Sequence, residues 1–298
     1  MDSSQGGQKI GVVTVTYNSA EVLPDFFRSL WNQTHANFIL YAVDNASRDT
    51  TLEQLRAQTD SRLKVESNVS NLGVAEGNNV GIRRALQDGC DAVLLLNNDV
   101  VFPPGLIATL LESRNVHQCD MVAPKIMYHQ PSDKIWWAGG YFQPALGYRA
   151  AHSGLDQVDV GQFNEAKPVS YSPTCCVLIK KTVFASIGMM DGRYFVYFDD
   201  TDFMLRAHKA RLVLFYEPSA LLHHKVSSLS GGTDSPFAVH FLARNRVYFW
   251  VKHLGVPLAC IYTASLSALY LVKYLLRLTS GSTLKIQLNA MADGLQLK

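Results

Sequence analysis

The sequence predicts an α/β fold, a mixed and mainly parallel sheet flanked by helices with a helical tail at its C-terminal end. Three observations predict it. Strand-like runs and helix-like periodicities alternate through the first hundred residues, as in successive βαβ units. Val93-Leu94-Leu95-Leu96 is a short continuous apolar run, suited to a strand buried on both faces of a parallel sheet. That run stops abruptly in Asn97-Asn98-Asp99, at a strand's carboxyl end, where open α/β sheets meet their ligands.

Ile10–Thr16 (IGVVTVT) reads as the first strand and ends in Tyr17-Asn18-Ser19. Val22, Leu23, Phe26, Phe27 and Leu30 then recur at helical spacing. No G-x-G-x-x-G follows the strand, which argues against a dinucleotide fold. Residues 38–43 (FILYAV) form a second strand that delivers Asp44, and residues 45–49 turn into a helix with Ser47 or Asp49 as N-cap. Residues 63–65 make a short third strand. Residues 71–81 (NLGVAEGNNVG) read as a glycine-punctuated loop running into a helix through Leu86. Glycines let a backbone approach a ligand, and amides at a helix start favour anions; small residues at a packing contact are the alternative. Ala92–Leu96 is the fourth strand, and Pro103-Pro104 start the next helix. Asp99 with neighbouring oxygen donors suits Mg2+ or Mn2+, hard cations completed by substrate phosphates; an Asn/Asp turn is the alternative.

The second half is less regular. Trp136-Trp137-Ala138-Gly139-Gly140-Tyr141 offers aromatic faces that stack on sugars or fill a core and its rim. Residues 176–179 are a strand ending in Lys180-Lys181, with Cys175 and Cys176 as packing residues. An aromatic run over residues 194–198 ends in Asp199-Asp200-Thr201-Asp202, followed by a helix carrying Arg206. Acids so crowded in an apolar setting raise at least one pKa and can poise a general base. Helix capping is the alternative, but a cap needs only one acid. A strand at residues 212–216 precedes His223-His224; adjacent strand residues face opposite sides, so at most one of the pair serves a metal. Residues 241–250 form a helix with Arg244 and Tyr248 on one face, a place for a phosphate clamp or for a solvated charge.

With 298 residues, 48% hydrophobic and a net charge of +2, the chain buries a sizeable core and lacks the basic blocks of a nucleic-acid binder. Its five cysteines lack C-x-x-C spacing and read as reduced thiols of a cytoplasmic protein. The polar N-terminus has no apolar core of a signal peptide. Residues 254–272 carry no charge and are flanked by Lys252, His253, Lys273 and Arg277. Their length is near the spanning threshold, but Pro257 and the hydroxyl-bearing residues fit better a helix lying in the headgroup region; packing within the chain or in a homodimer is the third reading.

Taken in order, the blocks VVTVTYNS, VDNASRDT, NLGVAEGNNVGI, LLLNNDVVFPPG, GMMDGRYFVYFDDTDFMLRAHKA, LLHHKVSS and ARNRVYF resemble family 2 glycosyltransferases of the GT-A fold, in particular bacterial rhamnosyltransferases. The resemblance implies a catalytic domain over residues 1–250, with a nucleotide-sugar half (1–115) and an acceptor half (116–250), and a tail over 251–298. It implies inverting transfer of a sugar, rhamnose-like, from a dTDP- or UDP-linked donor to a glycan or polyprenyl-linked acceptor in bacterial surface polysaccharide synthesis, at the inner face of the plasma membrane. Thr14, Tyr17, Asn18 and Asp44 would form the nucleotide pocket. Asn71, Gly73, Asn78 and Asn98 would line the donor, with Arg244 facing phosphates. Asp99 would be the surviving carboxylate of the D-x-D block and His224 its histidine partner on Mg2+ or Mn2+. Asp200 would be the catalytic base, and Trp137, Asp199 and Asp202 would contact the acceptor. Two departures stand out: Asn97 replaces the first acid of D-x-D, and Thr174 replaces a glycine near the donor sugar.

Three rival readings stand beside this one. A sugar-1-phosphate nucleotidyltransferase normally has a glycine-rich basic loop where this chain has Tyr17-Asn18-Ser19. A nucleotide-sugar or glycan-binding protein with lost activity is suggested by Asn97, against the intact Asp99 and Asp200. A membrane-surface assembly partner rests on residues 254–272 alone.

Overall fold

The computed structural model describes residues 7–225 and 234–297. Its first half is β1 (Ile10–Thr16), α1 (Leu23–Trp31), β2 (Phe38–Asp44), α2 (Thr51–Arg56), β3 (Leu63–Ser67), α3 (Gly73–Gln87) and β4 (Ala92–Leu96). Then follow β5 (Val100–Val101), α4 (Leu106–His117), β6 (Met121–Tyr128), β7 (Ile135–Trp137), β8 (Gly140–Gln143), β9 (Arg149–His152), β10 (Lys167–Val169) and β11 (Cys176–Lys180). The chain continues through α5 (Lys181–Ile187), α6 (Asp199–Lys209), β12 (Leu214–His224), α7 (Pro236–Leu254), α8 (Val256–Leu275) and α9 (Gly281–Gln296).

One mixed sheet runs in the order β10-β12-β6-β11-β4-β1-β2-β3. Its middle strands are aliphatic and buried on both faces, as the uninterrupted apolar runs require. β1 pairs in parallel with β2, from Ile10 opposite Phe38 to Thr16 opposite Asp44, and with β4 from Ile10 opposite Ala92. The carboxyl ends of β1, β2 and β4 therefore share one rim. β11 runs antiparallel to β4, so its first residue, Cys176, lies beside Leu96 at that rim. β12 runs parallel to β6 and antiparallel to β5, so its last residue, His224, faces Val100, next to Asp99.

α3 starts at Gly73, earlier than the glycine-rich loop suggested. Asn71 Oδ1 accepts from the Gly73 amide at 2.9 Å, and Asn45 Nδ2 donates to the Gly73 carbonyl at 2.9 Å, which turns the chain directly into the helix. A Cβ at Gly81 would stand 2.4 Å from Val13 Cγ1. This glycine serves close helix-on-sheet packing rather than a ligand's approach.

α7 runs past residue 250, where the tail was expected to begin, and stops at Gly255, whose φ of 81° ends the helix. α9 lies against α7, burying Ala290, Met291 and Gly294. Among the described residues α8 is the one helix long and apolar enough to cross a membrane, with a mean hydropathy of 1.4 and 11% of its most apolar window buried. The four cysteines before it are buried, Cys260 on it is exposed, and all are free thiols.

Candidate active site

The two acidic stretches meet at the rim of the sheet. His224 Nε2 lies 3.2 Å from Asp99 Oδ1, and both side chains are buried. Asp99 Oδ1 and His224 Nδ1 each lack a hydrogen bond among the described residues. Buried polar atoms without partners are costly, and a carboxylate oxygen beside an imidazole nitrogen suits a divalent cation completed by phosphate oxygens. The residues present therefore fit the expected metal, although the described residues hold no group of three such ligands. Val226, Ser227 and Ser228, which end the LLHHKVSS block, lie outside the described residues.

Asp200 sits in the first turn of α6. The Tyr171 hydroxyl donates to its Oδ2 at 3.0 Å, and the Thr201 amide and hydroxyl donate to Oδ1 at 2.6 and 3.1 Å. Burial pushes the Asp200 carboxyl up, and those three donors pull it back. Its neighbour Asp199 is buried and pushed up to about 8 by burial and then by the charge of Asp200. Both adjacent acids are therefore raised, Asp199 the more strongly, and they titrate as a pair.

Cys175 and two aromatic contacts bind the halves of the site together. Burial raises the Cys175 thiol, followed by the charges of Cys176, Asp99 and Asp200, so both acids lie close to this one side chain. The Trp136 ring stands edge-on to His224 at 4.8 Å and to His152 at 5.2 Å. His152 Nδ1 donates to the Trp136 carbonyl at 3.2 Å, and its ring lies 5.6 Å from that of Tyr171. Tyr171 and His152 carried no local pattern that marked them for the site, whereas Trp136 belongs to the aromatic stretch read as offering a face to sugars.

At the other end of the rim, Asp44 is fully buried. Its Oδ1 accepts from the Thr16 hydroxyl at 2.9 Å and the Ser47 hydroxyl at 2.5 Å, and its Oδ2 accepts from the Ser47 amide at 3.1 Å. Asn18 Oδ1 accepts from the Arg48 amide at 2.8 Å, so β1 and β2 share one stapled turn. Tyr17 is exposed beside it, whereas Thr14 is buried. Asn98 Nδ2 donates to the Val15 carbonyl at 2.8 Å and Ser19 Oγ at 3.1 Å, tying β4's end to β1. Asn78 is buried on α3, and Thr174 is buried just before β11.

Four of the expected site residues are taken up by contacts within the chain. Trp137 is fully buried, edge-on to Tyr216, because alternate residues of β7 face opposite ways; Trp136 is the one that faces the site. Arg244 Nη2 donates to the Arg193 and Tyr194 carbonyls at 2.8 Å each, fixing the loop before α6 instead of presenting its fork to phosphates. Asp202 is fully buried among Arg206 Nε at 2.8 Å, Lys252 Nζ at 2.6 Å and His253 Nε2 at 2.8 Å, so its carboxylate is already engaged within the chain. Gly73 faces the Phe195 carbonyl, to which the Val74 amide donates at 2.6 Å, so this helix start is already capped by the chain itself.

A cavity of about 490 Å³ opens beside the Asp200 side of the site. Tyr171, Thr201 and His152 form one wall; Arg246, Phe249 and Leu266 are on the opposite helices.

The model of the family described as Glycosyl transferase family 2 matches residues 11–188. An N-acetylglucosaminyl-diphospho-decaprenol L-rhamnosyltransferase of Mycobacterium tuberculosis (strain ATCC 25618 / H37Rv) is 27% identical over 270 residues, covering 80% of this chain and 85% of the relative. A dTDP-rhamnosyl transferase RfbF of Shigella flexneri is 21% identical over 257 residues, covering 84% and 82%. Among solved structures, the mannosyltransferase PcManGT from Pyrobaculum calidifontis with GDP-Man and Mn2+ superposes with a TM-score of 0.58 at 14% identity, over 97% of this chain and 86% of that one. GalNAc-T7 with UDP, GalNAc and Mn2+ does so with a TM-score of 0.60 at 13% identity, over 82% and 50%. Both are glycosyltransferases of the GT-A fold, and this chain shares that fold.

Proposed function

The chain belongs to glycosyl transferase family 2, and from that premise we propose that it is an inverting, metal-dependent transferase of a rhamnose-like sugar. Its donor is a dTDP- or UDP-linked sugar and its acceptor a lipid-linked glycan of a bacterial surface polysaccharide. The rhamnosyltransferase relatives support this donor and acceptor class. The observation that carries the chemistry is the convergence of Asp99–His224 and Tyr171–Asp200 around Cys175.

In this reading residues 1–115 hold the nucleotide, between the Asp44 turn and exposed Tyr17, and residues 116–250 hold the acceptor. Asp99 and His224 hold Mg2+ or Mn2+; when bound, the cation offsets the charge that develops on the departing nucleoside diphosphate. Asp200 accepts the proton of the acceptor hydroxyl as that oxygen attacks the anomeric carbon and the bond to the diphosphate oxygen breaks. Attack from the face opposite the leaving group inverts the anomeric configuration. Tyr171 and Thr201 orient the base and keep it ionised, Asp199 keeps the shared proton, and Trp136 offers the acceptor sugar an aromatic face. α8 lies in the headgroup region of the membrane.

Asp200→Asn tests this. Turnover falls by about 10²–10⁴-fold, while Mn2+-dependent binding of nucleoside diphosphate stays close to that of the parent chain, because base and donor contacts lie on different residues. Near-normal transfer by the variant would remove Asp200 from the mechanism. Asn97, in place of an acid, favours a second reading, a donor-binding protein without turnover; the parent chain would then bind donor yet neither transfer nor hydrolyse it.

A further inference from the structure

The cavity beside Asp200 contains a cation with nothing to neutralise it. Arg246 on α7 is half-buried, and it makes neither a hydrogen bond nor an ion pair with any described residue. Its Cζ lies 5.9 Å from the Phe198 ring centroid. Arg149 and His152 also line the cavity, and among the described residues no acidic one does. Holding a guanidinium in such a place is costly unless an anion joins it. The remaining walls are apolar: Phe249, Trp250, Leu266 and Leu269 among them. Leu269 is at the same time 49% exposed on α8, where Ile261, Val272 and Leu275 extend the apolar surface outward. The cavity therefore joins three things: the donors of Asp200, an unpaired arginine and the apolar face of α8.

We propose that this cavity is the site for the isoprenyl diphosphate end of the lipid-linked acceptor, with Arg246 on the diphosphate and the wall of Phe249, Trp250 and Leu266 around the first isoprene units. The proposal rests on the reading of Asp200 as the base that faces the acceptor. A diphosphate at Arg246 leaves the attached sugar next to Tyr171 and Thr201, which hold Asp200. The prenyl chain then leaves along α8 towards the bilayer. A donor diphosphate belongs at Asp99 and His224, neither of which lines this cavity.

The test is direct binding to the full chain, without donor or metal, with farnesyl diphosphate as the probe. Farnesol, inorganic diphosphate and phosphatidylglycerol vesicles are the competitors. The probe is expected to bind roughly tenfold or more tightly than farnesol or inorganic diphosphate, since each of those supplies one half of the contacts. Arg246→Gln should weaken the probe by about tenfold or more, Arg246→Lys by less. Leu266→Trp, which fills the apolar wall and keeps the charge, should also weaken it, and it serves if the arginine variants do not fold. Unchanged probe binding in both Arg246→Gln and Leu266→Trp overturns the proposal. So does displacement by inorganic diphosphate at equal concentration, which marks a simple phosphate site, or by phosphatidylglycerol alone, which marks a lipid headgroup site. Because the readout involves no turnover, its failure leaves the Asp200→Asn result untouched, and failure of the base assignment leaves the binding result standing.

Discussion

His224 Nε2 stands 3.2 Å from Asp99 Oδ1 because the last residue of β12 pairs with the first residue of β5. His223, one residue earlier, faces away, as strand alternation demands. The buried pair, each with an unpartnered atom, is the part of the site that fits a cation. His224→Ala is expected to weaken Mn2+ roughly tenfold or more. A Mn2+ titration of the thermal stabilisation given by nucleoside diphosphate reads it; an unchanged midpoint would separate His224 from the metal.

In the proposed mechanism, Tyr171 sets the working pH of the base. Its hydroxyl favours the ionised form of Asp200 against the upward push of burial. Tyr171→Phe removes that donor, so the Asp200 pKa rises. The acid limb of kcat/KM should therefore move to higher pH, with the plateau above it less affected. A limb that stays in place, measured as a pH profile, would show that Tyr171 only packs.

Asp199 gives a signature in stability. Its carboxyl rises from an ordinary 3.8 to about 8 in the fold, through burial and then the charge of Asp200. A raised folded pKa contributes stability that is complete below the unfolded value and lost as pH rises through the folded one. The thermal midpoint of the parent chain should fall relative to that of Asp199→Asn as the pH is taken from about 4 to about 8. Parallel curves would mean that Asp199 does not hold the proton.

Asp202 behaves in the opposite sense. Burial raises its carboxyl, but the hydrogen bond from His253 and the charges of Arg206 and Lys252 outweigh that and hold it at about 2. Its stabilisation is present above the ordinary carboxylate range and is lost as pH falls towards that value. Asp202→Asn leaves the cations of Arg206 and Lys252 beside a neutral amide, with a cost of about 3–5 kcal/mol in urea unfolding at neutral pH. A cost below about 1 kcal/mol would show that the cluster relaxes into water.

The exposed apolar face of α8 should hold the protein on a bilayer. Leu271 and Leu275 on α8, and Leu278 just beyond its end, are 49%, 69% and 71% exposed. Replacing the three with serine removes about 1.5–3 kcal/mol of burial each on transfer to a bilayer, and cosedimentation with anionic vesicles should fall by more than about tenfold. Equal cosedimentation would leave α8 to a protein contact.

The amino-acid sequence by itself determined the α/β architecture and the acidic stretches. Runs such as Val93–Leu96 can be satisfied only between neighbouring strands, and β1, β2, β4 and β11 lie where the local patterns placed them. Asp99 and Asp200 announced themselves because each ends or follows an apolar run. What no local pattern carries is which distant residues meet. Tertiary structure put Tyr171 on Asp200, gave Trp136 rather than Trp137 to the site, and turned Arg244 and Asp202 into internal braces. The reason is physical: these outcomes depend on antiparallel returns through β11 and β12 and on which face of a strand or helix is buried. Both are fixed by long-range pairing and packing, on which neighbouring residues in the chain carry no information.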